Sequence, residues 1–192
     1  MKRLTFVILA VGLLVALPTA AVLSSTNGAW IKYTGNPVLR ANPANAWDDF
    51  NVYSSHVLWD GSQFRMWYSG TSFTQNEKDI GYATSADGLT WTKHPGNPVL
   101  SVGPFGYWDH ERINAPTVLY DATDKLWKMW YAGVSIYNGG FSIGYATSPD
   151  GINWTKYSDE PIFESSGHPD YWDGISVLAP EVLKKDGKYH MW

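Results

Sequence analysis

The feature that most constrains the fold of this chain is a stretch of sequence that occurs twice. Ile80–Lys93 and Ile143–Lys156 share the pattern Ile-Gly-Tyr-Ala-Thr-Ser-x-Asp-Gly-x-x-Trp-Thr-Lys, and their starts are 63 residues apart. Each copy predicts a β-branched and aromatic strand, a turn at Asp-Gly and a second strand that begins at the Trp. Gly tolerates positive φ and Asp can bond its own backbone two residues on, so this dipeptide suits a tight turn. A period of this length predicts a repeat architecture.

Shorter motifs recur with a similar period. The recurrent segments are Asn36–Leu39, Asn97–Leu100 and, loosely, Glu160–Phe163; Met66–Gly70, Met129–Gly133 and Met191–Trp192; and Trp-Asp pairs at Trp47, Trp108 and Trp172. Each unit holds four short strands separated by turn residues, which is the content of one β-propeller blade. We therefore predict an all-β fold of four-stranded antiparallel blades, with repeat units at approximately 33–93, 94–156 and 157–192.

Tryptophans recur in register within these units. The residues concerned are Trp67, Trp91, Trp130 and Trp154. Packing between blades repeats, whereas a single binding site need not, so we expect these rings in the core. The alternative is that some of them form stacking platforms for sugar rings.

The first residues predict a secretory signal peptide at 1–21. Lys2 and Arg3 precede an apolar run, Leu4–Leu17, which Pro18 and small residues follow. An uncleaved anchor is the alternative, but the run is shorter than the ~20 residues that span a membrane. We expect residues 22–192 to be exported as a partial propeller domain, secreted or periplasmic and free of the membrane once the leader is removed.

Composition excludes several classes of function. The formal net charge of −4 and the pI near 5.6 give no basic footprint for nucleic acid. The chain has no Cys, so no disulfide supports the fold. The five His show no metal-ligand spacing and no glycine-rich phosphate loop is present, so we expect neither a metal nor another cofactor.

The end of the chain falls inside a repeated strand. Met191–Trp192 begins a third copy of the Met-Trp-Tyr-x-Gly motif, so about two and a half blades are present, whereas closed propellers have ~4–8. We predict that further blades of the same protein follow Trp192 and pack against the blades described here.

The full pattern resembles a known superfamily. The order Asn-Pro-Val-Leu, Trp-Asp, Ala-Pro-x-Val-Leu, Met-Trp-Tyr-x-Gly and Ile-Gly-Tyr-Ala-Thr-Ser-x-Asp-Gly-x-x-Trp is similar to that of the five-bladed β-propeller glycoside hydrolases. These are the arabinanase/β-xylosidase-like enzymes and their invertase-like and mannoside-phosphorylase-like relatives. The resemblance covers Asn36–Trp192. It implies a five-bladed propeller, a carbohydrate substrate and glycosidic bond hydrolysis by paired carboxyl groups.

The resemblance also indicates where the catalytic acids belong. In the superfamily they begin the innermost strands of the first three blades, twice as Asp-Pro and once as Glu. The aligned pairs here begin at Ser54, Ala115 and Ala179, and none of them contains an aspartate. Glu181 follows the third pair at the position of His56 and Thr117 in the other units. We predict that Glu181 is the general acid; a solvated carboxylate at a strand end is the alternative.

Two further acids depart from the repeat. Glu111 and Asp49 have no acidic counterparts in the other units. We predict that they and Glu181 point toward a common pocket, where Glu111 or Asp49 activates water or orients the sugar. For Glu111 a salt bridge with Arg112 is the alternative.

Other polar residues are candidates for substrate binding. The repeated Asp48, Asp109 and Asp173 are expected to cap turns, with sugar binding as their alternative role. His56 and Arg112 are expected to contact substrate. Two functions remain open: an exported glycoside hydrolase, favoured by Glu181 and Glu111, and a non-catalytic glycan-binding propeller, favoured by the missing Asp-Pro acids.

Overall fold

The computed structural model describes residues 31–44, 46–74, 78–134 and 139–192, so the predicted leader at 1–21 lies outside the described residues. Gly35–Trp192 form one compact unit. The described residues contain ten β-strands and no helix, and hence no helix that could cross a membrane. The strands are β1 (Asn51–Trp59), β2 (Phe64–Thr71), β3 (Lys78–Ser85), β4 (Thr92–Lys93), β5 (Arg112–Asp121), β6 (Leu126–Val134), β7 (Ser142–Ser148), β8 (Thr155–Lys156), β9 (Val182–Lys185) and β10 (Lys188–Met191).

The strands form two similar sheets and a hairpin. The first sheet has the order β1-β2-β3-β4, the second has the order β5-β6-β7-β8, and β9 pairs with β10. All these pairings are antiparallel. The predicted fold class is therefore confirmed for the described residues: they are all-β, and two of their sheets are four-stranded antiparallel blades of a propeller.

The repeated glycines leave room for the tryptophan of each Trp-Asp pair. A Cβ atom on Gly70 would lie 2.3 Å from the Trp47 ring, and one on Gly81 would lie 2.7 Å from it. Trp108 lies in the same way against Gly133 and Gly144. The Trp-Asp, Met-Trp-Tyr-x-Gly and Ile-Gly-Tyr motifs are distant in the sequence but pack against one another in each blade. This contact explains why they repeat together.

The Asp-Gly turns have the geometry that the repeat predicts. Asp87 Oδ1 accepts hydrogen bonds from the backbone N–H groups of Leu89 (2.8 Å) and Thr90 (2.7 Å) and from the Ser85 hydroxyl (2.9 Å). Asp150 makes the equivalent bonds in the second blade. The glycine after each aspartate has positive φ, +73° and +81°. The backbone donors lower the pKa of Asp87 to about 2.

Aromatic side chains join the first blade to the second. Trp67 is fully buried; its ring lies 5.4 Å from that of Trp127, and its Nε1–H donates to the carbonyl of Gly151 at 2.8 Å. Of the other tryptophans expected in the core, Trp130 is buried, whereas Trp91 and Trp154 are half-buried.

A charged cluster joins the second blade to the hairpin. Asp121, which ends β5, is 2% exposed and accepts hydrogen bonds from Lys184 Nζ at 2.6 Å, from Lys128 Nζ at 3.2 Å and from the Tyr189 hydroxyl. Lys184 in β9 and Tyr189 in β10 belong to the third repeat unit. The Lys184 contact, followed by that of Tyr189, holds the pKa of Asp121 well below its usual range.

Candidate functional site

The innermost strands share one backbone distortion near their starts. Ser54 in β1 and Ala115 in β5 have positive φ, +44° and +48°, and the strand register shifts at these points. Ala179, before β9, has φ +54°. Residues other than glycine rarely adopt this conformation, which costs energy. A bulge turns the side chains that follow it, so the bulges of β1 and β5 re-aim equivalent residues in the first two units, and the positive φ of Ala179 distorts the backbone at the same position of the third.

Those equivalent residues come together in the folded chain. His56, Thr117 and Glu181 each lie two positions after the residue with positive φ. Thr117 Oγ1 lies 3.5 Å from His56 Nδ1. The Glu181 side chain is exposed, and the charge of its carboxylate raises the pKa of the His56 imidazole. One residue from each of the three repeat units thus contributes to a single cluster, which we call the inner cluster.

Burial controls the charge of His56. Desolvation lowers the pKa of its imidazole, and the Glu181 carboxylate and a hydrogen bond with the Val118 backbone offset part of that effect. The neutral form is therefore favoured at neutral pH. His56 Nε2 is buried and has no hydrogen-bond partner among the residues that the structure describes. A neutral imidazole beside a carboxylate is suited to accept or pass on a proton.

A second group of charges surrounds Glu111 at the start of β5. Lys78 opens β3, and its pKa is lowered by burial and by the neighbouring Arg112, whereas Glu111 raises it. The Arg112 guanidinium lies 5.7 Å from the centre of the Phe141 ring. Glu111 thus lies near Lys78 as well as near Arg112, the residue that the sequence suggested as its salt-bridge partner. The three residues form one cluster of charges.

Asp49 organises the loop that follows β2. Its Oδ1 accepts a hydrogen bond from the Phe73 backbone N–H at 2.9 Å. The rings of Phe50 and Phe73 lie 4.2 Å apart beside this contact. Lys78, near Glu111, pairs across the first sheet with Thr71, at the same end of the blade. Asp49 and Glu111 therefore lie at the same end of the blades, and a common pocket with Glu181 stays a prediction.

Several buried polar atoms near the strand starts have no partner among the described residues. They are Thr71 Oγ1, Arg112 Nε, Asn114 Oδ1 and His56 Nε2. Buried polar groups are normally hydrogen-bonded, so such a concentration marks a place where a polar ligand or water would be bound. Asn114 and Thr117 were not among the residues selected from the sequence. Two features of the sequence could have indicated them. Thr117 occupies the same position in its repeat unit as His56, and Asn114 lies in a stretch that the other units do not repeat.

The Trp-Asp carboxylates are held inside the blades. Asp48 is fully buried; its Oδ2 accepts hydrogen bonds from the Tyr68 hydroxyl at 3.1 Å and from Lys93 Nζ at 2.5 Å. Asp109 is bound in the same way by Tyr131 at 3.2 Å and by Lys156 at 2.7 Å. These contacts tie the outermost strand to the corner before the innermost one, which is a structural role. Sugar binding by these aspartates stays a prediction.

Asp173 has a different environment. It is half-buried, and its backbone carbonyl accepts a hydrogen bond from the Ser166 N–H at 3.1 Å. The adjoining Trp172 is 87% exposed. The turn-capping role expected for Asp173 and its alternative role in sugar binding both stay predictions. Within the described ranges no group of three or more His, Asp or Glu residues could hold a metal ion.

Comparison with known proteins places the chain among carbohydrate-active propellers. The model of the family described as "Glycosyl hydrolases family 32 N-terminal domain" matches residues 30–182. The uncharacterized protein MT1551 of Mycobacterium tuberculosis (strain CDC 1551 / Oshkosh) is 28% identical over 177 residues, which cover 87% of this chain and 56% of the relative. The chain therefore spans about half the length of the curated relatives that it matches.

Two solved structures illustrate the likeness in fold. The Bombyx mori GH32 beta-fructofuranosidase BmSUC1 superposes with a TM-score of 0.56 at 22% identity, over 72% of this chain and 28% of the enzyme. A structure from the GH130 family, described as containing glycoside hydrolases that target beta-1,2 mannosidic linkages in Candida mannan, has a TM-score of 0.65 at 18% identity. That match covers 83% of this chain and 51% of the other.

Proposed function

Because the chain belongs to the family of the glycosyl hydrolases family 32 N-terminal domain, we propose that it is part of an exported enzyme that hydrolyses glycosidic bonds of oligo- or polysaccharides. The resemblance to propeller glycoside hydrolases inferred from the sequence is confirmed by the family match and by the fold. Export, the substrate and the reacting residues belong to the proposal, as does the activity of the whole protein.

The observation that carries the proposal is the inner cluster. A repeat architecture reproduces packing residues in every unit, but three different polar residues, His56, Thr117 and Glu181, stand at one equivalent position; His56 contacts Thr117, and Glu181 influences its charge. The residue two positions before each of them has a positive φ in all three units. Backbone strain that persists at the same place in a scaffold is typical of functional sites.

The proposed mechanism uses two carboxyl groups. Glu181 donates a proton to the leaving-group oxygen and, because its side chain is exposed, regains a proton from water. The neutral imidazole of His56 adds no positive charge near it. Glu111, near Lys78 and Arg112, acts as the second carboxylate, which activates water or attacks the sugar. Asp49 holds the loop after β2 in place beside them.

The first prediction tests the general acid. In the full-length protein, Glu181→Gln removes the transferable proton and keeps the shape of the side chain. We expect turnover to fall by at least about 100-fold while sugar binding changes little, because general acid catalysis contributes 10²–10⁴-fold. Initial rates are measured on β-fructofuranosides and β-1,2-mannosides, and binding is measured by calorimetry.

The matched control is Glu164→Gln, an exposed glutamate before β9. It should leave both turnover and binding unchanged. If Glu181→Gln turns over substrate at the parent rate, Glu181 has no part in the reaction.

A non-catalytic glycan-binding propeller is the second candidate. It is favoured by the pairs that begin at Ser54, Ala115 and Ala179, which supply no carboxylate at the start of the innermost strands. In that case the parent protein and the Glu181→Gln variant would bind the same sugars, and neither would release product.

A further inference from the structure

A large cavity lies between the first two blades at the end opposite to Asp49 and Glu111. Its volume is about 680 Å³, within the range of ~300–1,000 Å³ that is usual for ligand sites. Trp59, the last residue of β1, and Tyr120, near the end of β5, line it. Asn51 and Trp59 are eight residues apart, which at ~3.3 Å per residue separates the two ends of β1 by roughly 25 Å.

Two exposed aromatic rings flank this cavity. Trp59 is 53% exposed and Tyr120 is 48% exposed. They hold equivalent positions in the two blades, after Val57-Leu58 and Val118-Leu119. Rings behind them restrict their motion: Phe64 lies 4.8 Å from Trp59, and Trp127 lies 5.2 Å from Tyr120. The third unit has Lys184 at this position, paired with Asp121, so only the first two blades present a ring.

The polar groups of the cavity are already oriented. Arg65 Nε donates to Asp60 Oδ2 at 2.5 Å, Nη1 donates to the Asp150 carbonyl at 3.1 Å, and the guanidinium lies 5.0 Å from the centre of the Trp127 ring. Asp60 Oδ1 also accepts from the Ser62 N–H. Fixed acceptors and donors beside aromatic faces cost little reorganisation when a ligand binds.

The charges define the class of ligand. Arg65 is neutralised by Asp60, and Asp150 adds a second carboxylate to the lining. Because Asp60 balances Arg65, the carboxylate of Asp150 leaves the lining with excess negative charge, which would repel an anionic ligand. A wholly apolar ligand would desolvate the charged groups without compensation. A neutral polyhydroxyl ligand can contact both the aromatic and the charged parts of the lining, because its C–H groups pack on the rings and its hydroxyls can donate hydrogen bonds to the carboxylates.

We propose that this cavity is a second carbohydrate-binding site, which holds a segment of a neutral polysaccharide away from the inner cluster. Trp59 and Tyr120 supply the stacking faces, and Asp60, Arg65 and Asp150 supply the polar contacts. The choice of a carbohydrate rests on the proposed function, but the site takes no part in hydrolysis. It retains the enzyme on a long chain and leaves the cleavage of a short substrate unaffected.

The test measures polysaccharide binding by full-length protein that carries Glu181→Gln, so that the probe stays intact. Inulin, a β-fructan, and Candida mannan are the probes, and retardation in gels containing them gives the affinity. The double variant Trp59→Ala/Tyr120→Ala removes both rings. We expect about tenfold weaker binding of the polysaccharide that the parent protein retains, since each aromatic contact contributes roughly two- to tenfold.

A second variant leaves the rings in place. Pro149 is exposed and lines the cavity, and the first blade has Ala86 at the same turn position. Pro149→Trp fills the cavity and should weaken binding as the double variant does, whereas Pro149→Ala should bind like the parent. Thermal unfolding identifies any variant that fails to fold. If Pro149→Trp binds as tightly as Pro149→Ala, or if neither polysaccharide retards the parent, the inference is overturned.

Hydrolysis of a disaccharide, measured with Glu181 restored, separates this inference from the proposed function. Weaker polysaccharide binding by the cavity variants supports the second site even if no disaccharide is cleaved. Disaccharide cleavage together with unchanged binding by those variants supports the enzyme and overturns the second site.

Discussion

His56 shows at the scale of a single residue how position determines chemistry. Any repeat unit could hold a histidine, but this one is half-buried with its Nε2 atom shielded from solvent, lies 3.5 Å from Thr117 and is influenced by Glu181 from another unit. Burial lowers the pKa of the imidazole in the folded protein. The unfolded chain therefore binds a proton at a higher pH than the folded chain does.

This difference predicts a pH dependence of stability. Well above the unfolded-state pKa of about 6.5, His56 is neutral in both states and contributes no slope. As the pH falls below that value, the unfolded state binds more protons, so the free energy of unfolding decreases until the folded-state pKa is passed. Urea titrations between pH 7.5 and 5 should show a smaller decrease for His56→Gln than for the parent protein. The exposed His190→Gln serves as the control and should follow the parent; equal slopes for His56→Gln and the parent would contradict the prediction.

The blade is the element in which the repeated motifs acquire a common cause. Trp47 rests on Gly70 in β2 and on Gly81 in β3, and Asp48 beside it binds Tyr68 and Lys93. A single corner thus fastens all four strands. Similar contacts around Trp108 in the second blade explain why these motifs recur together.

The contact between Trp47 and Gly70 leads to a prediction for the element. Gly70→Ala places a Cβ 2.3 Å from the Trp47 ring, and overpacking of this kind costs ~1–3 kcal/mol. Trp47→Leu alone destabilises the blade by creating a cavity. Since the smaller side chain makes room for the new methyl group, the double variant should be more stable than the sum of the two effects predicts. Chemical denaturation of all four proteins measures the coupling, and strict additivity would show that the two residues do not contact one another.

At the scale of the whole molecule, different contacts join successive blades. The first interface is aromatic and centres on Trp67, whereas the second contains Asp121 with Lys128, Lys184 and Tyr189. A carboxylate that neutralises two lysines is costly to remove, because Lys184 then keeps only the Thr123 hydroxyl and Lys128 keeps only Asp124 and the Tyr189 hydroxyl.

Asp121→Asn therefore tests the second interface. In the full-length protein we expect a larger loss of stability than the loss caused by removing an exposed carboxylate, because Lys184 and Tyr189 lose their common partner. Hydrogen exchange should accelerate in β9 and β10 more than in β2 and β3, because the lost contacts join the second and third units and do not reach the first. Asp124→Asn is the matched control: this aspartate also binds Lys128, but its side chain is 45% exposed, so it should cost at most ~1 kcal/mol. An equal loss in the two variants would contradict a special role for Asp121.

Local sequence signals were sufficient to predict the blades. The Asp-Gly turns, the strand patterns and the period between Ile80 and Ile143 are properties of neighbouring residues, and they indicated four-stranded antiparallel sheets. The site was harder to predict from local signals. Glu111 and Asp49 attracted notice because they break the repeat, whereas Asn114 and Thr117 did not, since nothing in their sequence neighbourhood shows that they are buried near the strand bulges.

The sequence by itself determined the repeat unit, the all-β class and the resemblance to propeller glycoside hydrolases, because short-range turns and alternating strands depend on a few adjacent side chains. Only the tertiary structure decided which residues meet. His56, Thr117 and Glu181 are about sixty residues apart in sequence. In the folded chain His56 contacts Thr117, and Glu181 influences its charge, because the same positions of three repeat units lie near one another. Trp59 and Tyr120 likewise become the two walls of one cavity only when adjacent blades pack together. Such contacts depend on the packing of whole sheets, which no local pattern records.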